Sequence, residues 1–511
     1  MGENRRIAKN TIYLYFRSFL MLAIGLYSSR VILEALGVED YGLYGAIGSI
    51  VAMFSILNGV LSVGTSRFLT FELGKNDEDK LKKTFSASFA MHLMLAVLLF
   101  IILETAGLWF VNHKLNIPDG REFAANVVFQ LSIISCMLAL TQVPYSASII
   151  AHERMDIYAY VGIAEVTFKL LLILALLYVP FFDNLIAYAI IMTTWSVGLQ
   201  IWYRIFCYKR FPESHLSIVK DKRIYKSMLS YSLWDFVGQF CATGNSQGLN
   251  ILINMFFGVT VNAARTVAYQ VEGAVTQFSG NFMTSVNPQI VKSYASGDFK
   301  RFFQLIYEAG KYSYYLLFIV SLPVFLEADY ILKIWLVEVP EYTSLFLRFV
   351  LMITLFRVIV RPVITGVHAT GNVKVLNLTS GVYSVSTFLP IIYILFKLNF
   401  PVWWCFIVHS FNAVVCTILE IRSLYIQIKF DIPDYVLKVY VRPIAVSLLA
   451  CILPACVVFF MDSSMLRLLI TVLSSLMCSA TCVYYLGIDE GMRIKVNCYL
   501  KEKLSFLRAE Q

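Results

Sequence analysis

The chain has 511 residues, of which 59% are hydrophobic and 15% are charged, and its formal net charge is +9. Charged residues make up about a quarter of ordinary soluble domains, so this composition, with a mean hydropathy of +0.70, excludes a soluble globular protein. Backbone that crosses hydrocarbon must satisfy its own hydrogen bonds, and the sequence therefore predicts an all-α polytopic membrane protein.

Apolar stretches follow one another along the whole chain, joined by short loops. Each has about twenty residues, the length that crosses a bilayer as a helix. The pattern predicts about fourteen transmembrane helices. Their approximate bounds are 11–33, 43–63, 84–111, 123–143, 157–179, 184–206, 229–257, 265–286, 305–326, 342–362, 375–397, 402–427, 441–461 and 467–486.

Lys and Arg concentrate in alternate loops, whereas the loops between them are acidic or nearly uncharged. The basic segments are 5–9, 67–83, 209–226 and 292–301. By the positive-inside rule, these segments and both termini are cytoplasmic, which predicts a multi-pass protein of the cell inner membrane. The positive charge is thus a signal of topology beside anionic lipid, and no nucleic-acid partner is expected.

Short segments recur at an offset of about 220 residues, which indicates an internal repeat. The matched segments are 37–41 with 258–262, 66–77 with 287–300, and 151–154 with 368–372. Because six spans separate equivalent points, the repeats are predicted to be parallel six-helix lobes around a central cleft. The predicted divisions are an N-terminal lobe 1–207, a cytoplasmic linker 208–226, a C-terminal lobe 227–427, and two extra helices with a cytoplasmic tail 428–511. Such an arrangement favours transport by alternating access over catalysis.

Motifs for catalysis or cofactor binding are missing. Gly366 and Gly371 have Walker spacing, but Asn372 stands where the phosphate-binding Lys would be. Asp77 and Asp79 lie beside three lysines, and we interpret them as a solvated loop rather than a metal site. The ten cysteines fall mostly inside spans and are interpreted as packing residues. We therefore expect no metal, no cofactor and no enzymatic activity.

Ionisable residues inside the spans are costly in hydrocarbon, so they are expected to face the cleft or a partner helix. Arg17 in the first span and Asp235 in the seventh lie at nearly equivalent positions of the repeat. We expect these two side chains to face each other across the cleft. Polar residues of the seventh span share a sector of roughly 100°, a stripe that lines the cleft or joins packed helices. They are Asp235, Gln239, Ser246, Asn250 and Asn254.

Three further groups are candidates. In the eighth span Arg265 and Glu272 share one face, favoured as functional, while Gln270, Gln277 and Asn281 share another. Glu165 and Lys169, one turn apart in the fifth span, either neutralise each other or couple an ion to transport. Arg357 and Arg361, one turn apart in the tenth span, either form an anion clamp or extend to lipid head groups.

Four groups of segments carry a family resemblance: Tyr27-Ser28-Ser29-Arg30 with 36–42, Asn287-Pro288-Gln289-Ile290 with 293–298, Trp335-Leu336 with 339–342, and 369–374. With them, nearly the whole chain resembles polysaccharide flippases of the O-antigen translocase type, in the superfamily that also holds multidrug and toxin extruders. The resemblance implies flipping of an undecaprenyl-pyrophosphate-linked oligosaccharide from the cytoplasmic to the periplasmic leaflet, for O-antigen lipopolysaccharide, capsule or exopolysaccharide assembly. It also implies membrane lipids, a polysaccharide polymerase and chain-length proteins as partners.

The candidate residues suit such a cargo, because Arg binds phosphate through its planar fork and amides bind sugar hydroxyls. Arg17, Arg265, Asn250 and Asn281 would supply both kinds of group. A cation-coupled multidrug and toxin extrusion antiporter would instead need acidic residues, and Asp235 and Glu272 leave that alternative open. A membrane-embedded glycan polymerase or ligase is a third alternative, but it would need a long periplasmic loop, which this sequence lacks.

Overall fold

The computed structural model describes residues 3–52, 55–113, 115, 117, 120–178, 183–336, 339–491 and 493–494. Within 3–60, at 175–178 and at Val259, only part of the side chains is described. The described residues form helices and no strand. The helices are α1 (Glu3–Ala52), α2 (Ser55–Lys75), α3 (Glu78–His113), α4 (Glu122–Ala151), α5 (Met155–Tyr178), α6 (Asn184–Arg210), α7 (Lys222–Ala295), α8 (Phe299–Leu326), α9 (Ala328–Trp335), α10 (Thr343–Val358), α11 (Arg361–Thr370), α12 (Lys374–Lys397), α13 (Trp404–Gln427), α14 (Ile432–Phe460) and α15 (Met465–Gly487).

Nine of the described helices are long and apolar enough to cross a membrane, and ten if α10 and α11, bent by 43°, form one span. This agrees with an all-α polytopic membrane protein. The predicted spans outside this set are the first, second, seventh and eighth, which lie in α1, α2 and α7. These helices carry Arg17, Asp235 and Arg265, whereas Glu165, Lys169, Arg357 and Arg361 lie in α5, α10 and α11.

Two of the predicted turns behave differently in the structure. Gly258 has φ +81° and interrupts α7 between the seventh and eighth predicted spans. Glycine suits this position because other residues avoid positive φ. The turn predicted at 37–41 is wrong, since α1 continues from Glu3 to Ala52 and merges the first span with part of the second. Asp40 in this stretch pairs with Arg121, so its charge is satisfied beside the start of α4 rather than in a free loop.

Side-chain caps define several helix starts. Asp183 accepts hydrogen bonds from the backbone N–H of Leu185 and Ile186 at the start of α6. Asp77 does the same for Lys80 at the start of α3, and Asp221 for Arg223 at the start of α7. Such caps satisfy amides that have no partner within the helix. The Asp77 cap agrees with the interpretation of that segment as a solvated helix start.

The chain divides into two compact units. Unit 1 comprises residues 1–241, 284–302 and 365–381, and unit 2 comprises 242–283, 303–364 and 382–511. Unit 1 packs α3, α4 and α6 around the fully buried Phe85 and Phe129. Unit 2 buries Phe346, Phe406 and Tyr435 among α10, α13 and α14. The predicted lobes and linker boundaries remain predictions.

Besides Gly120, four residues of unit 1 with positive φ lie in turns that directly follow helices. They follow α2, α4, α7 and α11, and the residues are Asn76 (φ 55°), Glu153 (φ 58°), Gly297 (φ 78°) and Gly371 (φ 81°). Asn76 and Gly297 are 221 positions apart, and Glu153 and Gly371 are 218 apart. The turns thus recur at the offset that the sequence repeat predicts.

Contacts within unit 1 recur with the same offset. Thr11 bonds to Ser285 through their hydroxyl groups at 2.8 Å. Ser232 lies 221 residues after Thr11, and Gly64 lies 221 residues before Ser285. These two residues also touch, since a Cβ on Gly64 would lie 3.2 Å from the Ser232 hydroxyl. Gly74 packs directly on Ala295, its own equivalent 221 residues later, because a Cβ there would lie 2.8 Å from the Ala295 Cβ.

Candidate functional site

Arg17 on α1 lies on the face of an aromatic ring in unit 1. Its guanidinium carbon is 4.5 Å from the ring centroid of Tyr158 on α5. Gly162, one turn further along α5, leaves the space that the arginine fills, since a Cβ there would overlap the Arg17 side chain. The Arg17 Nε is buried without a hydrogen-bond partner. The cation is therefore held by an aromatic face and by the charge of Glu165, without a salt bridge to any described residue.

Glu165 and Lys169 both lie near Arg17. Glu165 is within electrostatic range of Lys169 and of Arg17, in that order of strength. This trio gives α1 and α5 two cations and one carboxylate. Whether Glu165 and Lys169 neutralise each other or couple an ion to transport stays open, and both roles stay predictions.

Asp235 does not meet Arg17. It is buried, with 4% of its surface exposed, and one carboxylate oxygen is 3.9 Å from Nε2 of His368 on α11. Gln239, one turn along α7, hydrogen-bonds to the same carboxyl group. Among the described residues no ion pair joins Arg17 to Asp235, so the two form separate clusters. Equal depth in equivalent helices sets height in the membrane, but rotation about each helix axis decides which neighbour a side chain meets.

Arg265 is a buried cation of unit 2, with 4% of its surface exposed. It donates to the side-chain oxygen of Asn250 and, at 3.3 Å, to the carbonyl oxygen of Ser246. Its guanidinium carbon lies 4.4 Å from the ring centroid of Tyr269. These contacts tie the second half of α7 to the first half across the break at Gly258. No described carboxylate lies within ion-pair distance of Arg265, and its Nε is buried without a partner.

Glu272 lines a small cavity within unit 2. It accepts a hydrogen bond of 3.0 Å from the Thr354 hydroxyl on α10. The cavity has a volume of about 170 Å³ and is also lined by Tyr269, Arg361 and His409. Arg361 lies within electrostatic range of Glu272. Arg265 and Glu272 therefore both point to the interior of unit 2, the face of the eighth span that the sequence favoured.

Arg357 is engaged by a carboxylate. It donates to both oxygens of Glu420 on α13, at 2.7 and 2.8 Å, and to the Thr417 hydroxyl at 3.0 Å. This two-pronged pairing satisfies most of the guanidinium. An anionic ligand could bind Arg357 only by displacing Glu420. The geometry thus favours a structural role for Arg357 over a clamp shared with Arg361.

The remaining stripe residues are less enclosed. Gln239, Ser246, Asn254, Gln270 and Gln277 are exposed, whereas Asn250 and Asn281 are half-buried. Sequence reasoning missed the aromatic partners Tyr158 and Tyr269, and also His368 and Glu420. The aromatic residues carried a signal, because Tyr269 follows Arg265 at a spacing of one helical turn. His368 and Glu420 are distant in sequence from their partners and carried none.

Comparison with known proteins gives the class of fold. No protein-family model matches the chain, and no curated protein matches it. A solved outward-facing multidrug resistance MATE family transporter of the MOP superfamily is 13% identical, with a TM-score of 0.70 over 84% of this chain and 96% of that one. A MATE structure in the bent conformation has 12% identity, a TM-score of 0.71 and the same coverage.

A MOP superfamily transporter from Pyrococcus furiosus, whose description reports a binding pocket of reversed polarity, is 13% identical with a TM-score of 0.67 over 84% of this chain and 96% of that one. The protein therefore has the all-α fold of the MATE transporters of the MOP superfamily. The likeness shows the fold alone, and the absence of enzymatic activity stays a prediction.

Proposed function

We propose that the protein is a membrane transporter that moves an undecaprenyl-pyrophosphate-linked oligosaccharide from the cytoplasmic to the periplasmic leaflet by alternating access. The observation that carries the proposal is the state of Arg17 and Arg265. Both guanidinium groups lie over aromatic rings, both have a buried Nε without a partner, and neither has a salt bridge to a described residue.

A buried cation without a counter-ion is costly, and proteins usually pair it with a carboxylate, as Arg357 is paired with Glu420. Neither arginine is paired in this way: Arg17 has only the more distant charge of Glu165, and Arg265 has no described carboxylate within ion-pair distance. A ligand phosphate would satisfy the donors that remain. A pyrophosphate that leaves water must exchange hydration for such donors, and the fork of an arginine matches its oxygens. Asn250, which holds Arg265, and the half-buried Asn281 would then be placed to bind sugar hydroxyls.

Extrusion of a cationic drug is the second candidate, because the solved structures of similar fold include a multidrug resistance transporter. Asp235 and Glu272 are the acids that would hold such a cargo. Glu272 already accepts from Thr354 and lies near Arg361, so the unit 2 cavity is not purely anionic. For both candidate functions we expect the protein to lie in the inner membrane with both termini in the cytoplasm. The two functions differ in the charge that the cargo must carry.

The experiment replaces Arg17 and Arg265 by Ala separately, in a strain whose own oligosaccharide flippase is deleted. Loss of surface glycan at normal membrane abundance is expected for both, because each cargo phosphate loses a charged donor. Arg17→Lys should keep part of the activity, since it keeps the charge and loses the fork. Arg154→Ala is the matched control, as this exposed arginine pairs only with Asp156.

Two results would count against the proposal. Normal glycan from both alanine variants would reject these arginines as phosphate ligands and leave Arg361 as the next candidate. Resistance to cationic drugs that depends on Asp235 or Glu272, with no export of glycan by the unmodified protein, would favour the extrusion antiporter.

A further inference from the structure

Three helices of unit 1 meet around a buried carboxylate. Asp235 and Tyr231 lie one turn apart on α7, His368 lies near the end of α11, and Arg67 comes from α2. The side chains of Asp235 and His368 are 5% and 16% exposed. One oxygen of Asp235 is buried and makes no hydrogen bond. A carboxylate in this state is costly when ionised and has room for a proton.

His368 connects Asp235 to a phenol. Its Nδ1 is 2.5 Å from the Tyr231 hydroxyl, and its Nε2 is 3.9 Å from the nearer Asp235 oxygen. When Tyr231 donates to Nδ1, the imidazole proton resides on Nε2 and points at the carboxylate. The gap of 3.9 Å is too long for a hydrogen bond. An approach of about 1 Å would turn it into one. We call the observed spacing the open arrangement and the hydrogen-bonded spacing the closed arrangement.

Arg67 couples this group to the end of α11. It donates to the carbonyl oxygens of His368 and Ala369, at 3.0 and 2.8 Å. These carbonyls form the negative end of the α11 dipole, which an arginine suits. Gly371 permits the approach, because a Cβ there would lie 2.6 Å from an Arg67 nitrogen. The family-like segment 369–374 thus serves as the platform on which Arg67 rests.

Other charged groups around the site are few. Arg67 lies near Glu72 and Tyr294, as well as Tyr231. On the opposite side Lys374 lies 5.0 Å from the ring centroid of Trp234, the residue before Asp235. Asn377 donates to the Trp234 carbonyl oxygen at 2.8 Å, which fixes α7 against the start of α12. A change in the charge of Asp235 therefore changes its electrostatic interaction with His368, whose backbone carbonyl oxygen accepts from Arg67.

We propose that Asp235 and His368 form the site of a coupling proton, with Tyr231 orienting the imidazole. The proposal rests on the proposed transport function and names its driving ion. A sodium ion would need several oxygen ligands. Asp235 instead faces Nε2 of His368 and the side-chain amide of Gln239. Protonated Asp235 is neutral and gives the open arrangement. Loss of the proton creates a carboxylate that attracts the Nε2–H of His368 and shifts the end of α11, where Arg67 is bound.

The first test uses the purified full-length protein in lipid nanodiscs without cargo. Infrared spectroscopy follows the carbonyl stretch of protonated carboxyl groups as pH is varied. A band that titrates is expected in the unmodified protein, absent from Asp235→Asn and retained by Asp77→Asn, the control at a half-buried carboxylate that caps α3. His368→Gln should keep the band and move its titration midpoint, while His409→Gln, a change at a histidine of unit 2, should leave the midpoint unchanged. An Asp235→Asn spectrum identical to the unmodified one would overturn the proton site.

The second test separates coupling from the identity of the cargo. Proteoliposomes containing undecaprenyl pyrophosphate are given a pH gradient, and its movement between leaflets is measured. The gradient should accelerate movement by the unmodified protein, and Asp235→Asn should lose this response while it still binds the lipid. An unchanged response in Asp235→Asn would overturn the coupling role. If the unmodified protein moves no lipid although the infrared band depends on Asp235, the proposed cargo is wrong and the proton site stands.

Discussion

The pair of Arg357 and Glu420 offers a direct way to separate structure from ligand binding. Glu420 has a side chain only 5% exposed, and two charge-assisted hydrogen bonds join it to Arg357. Removing one partner of a buried pair typically costs about 3–5 kcal/mol, because the other charge is left unpaired. The Arg357 side chain is 30% exposed, so the lower end, about 3 kcal/mol, is expected for Arg357→Met. This corresponds to roughly a hundredfold change in the folding equilibrium.

Replacing both partners should reverse most of that loss. Arg357→Met combined with Glu420→Leu leaves no buried charge, and such apolar replacements are often neutral or stabilising. Unfolding in mixed detergent micelles, followed by tryptophan fluorescence, would measure the cycle, and surface glycan would report transport. We expect the double variant to approach the unmodified protein in both. Equal destabilisation of the single and double variants would refute the pairing argument, and a stable double variant without export would restore Arg357 as a ligand.

The other predictions concern two turns. Gly371→Ala should lower the free energy of unfolding by about 1–2 kcal/mol, because alanine is strained at positive φ. The loss should exceed that of Gly297→Ala, because only Gly371 lies against Arg67. Equal losses in thermal unfolding would contradict this contact. Although burial alone would raise the pKa of Glu213, hydrogen bonds from His152 and Ser148 lower it overall. The docking of the linker should therefore be stable above the ordinary glutamate pKa and be lost as pH falls through the lowered value. In the unmodified protein, pepsin cleavage near residue 216 should increase as pH falls through this value. In Glu213→Gln the cleavage should show no such step.

The sequence predicts the class of fold well because the bilayer imposes a simple rule. Each span must be apolar over about twenty residues. The predicted spans from the third to the sixth, the ninth, and from the eleventh to the fourteenth coincide with long helices, and the tenth coincides with the bent pair α10 and α11. Where polar residues interrupt the apolar pattern, the sequence does not locate the ends of the spans well. The break predicted between the first and second spans, at 37–41, is absent, since α1 is continuous there and Asp40 on it pairs with Arg121.

The partners of individual side chains could not be predicted with the same ease. Hydropathy gives the depth of Asp235 but not its rotation toward His368, which is more than a hundred residues away. Arg357 looked available in the sequence, since Glu420 lies 63 residues further on. A single sequence holds no record of which distant residues vary together. Periodicity therefore finds the polar faces, and packing decides what each face meets.

The reciprocal contacts of unit 1 have a consequence for ancestry. Thr11 touches Ser285, and the equivalents of these two residues, Ser232 and Gly64, touch each other in turn. An interface in which residue i meets j and the copy of i meets the copy of j is isologous, the arrangement found in two-fold homodimers. Gly74 against Ala295 marks the axis, where a residue meets its own copy. The contacts of unit 1 thus have the two-fold pattern that fusion of two copies of one ancestral segment would leave, with each copy then free to diverge.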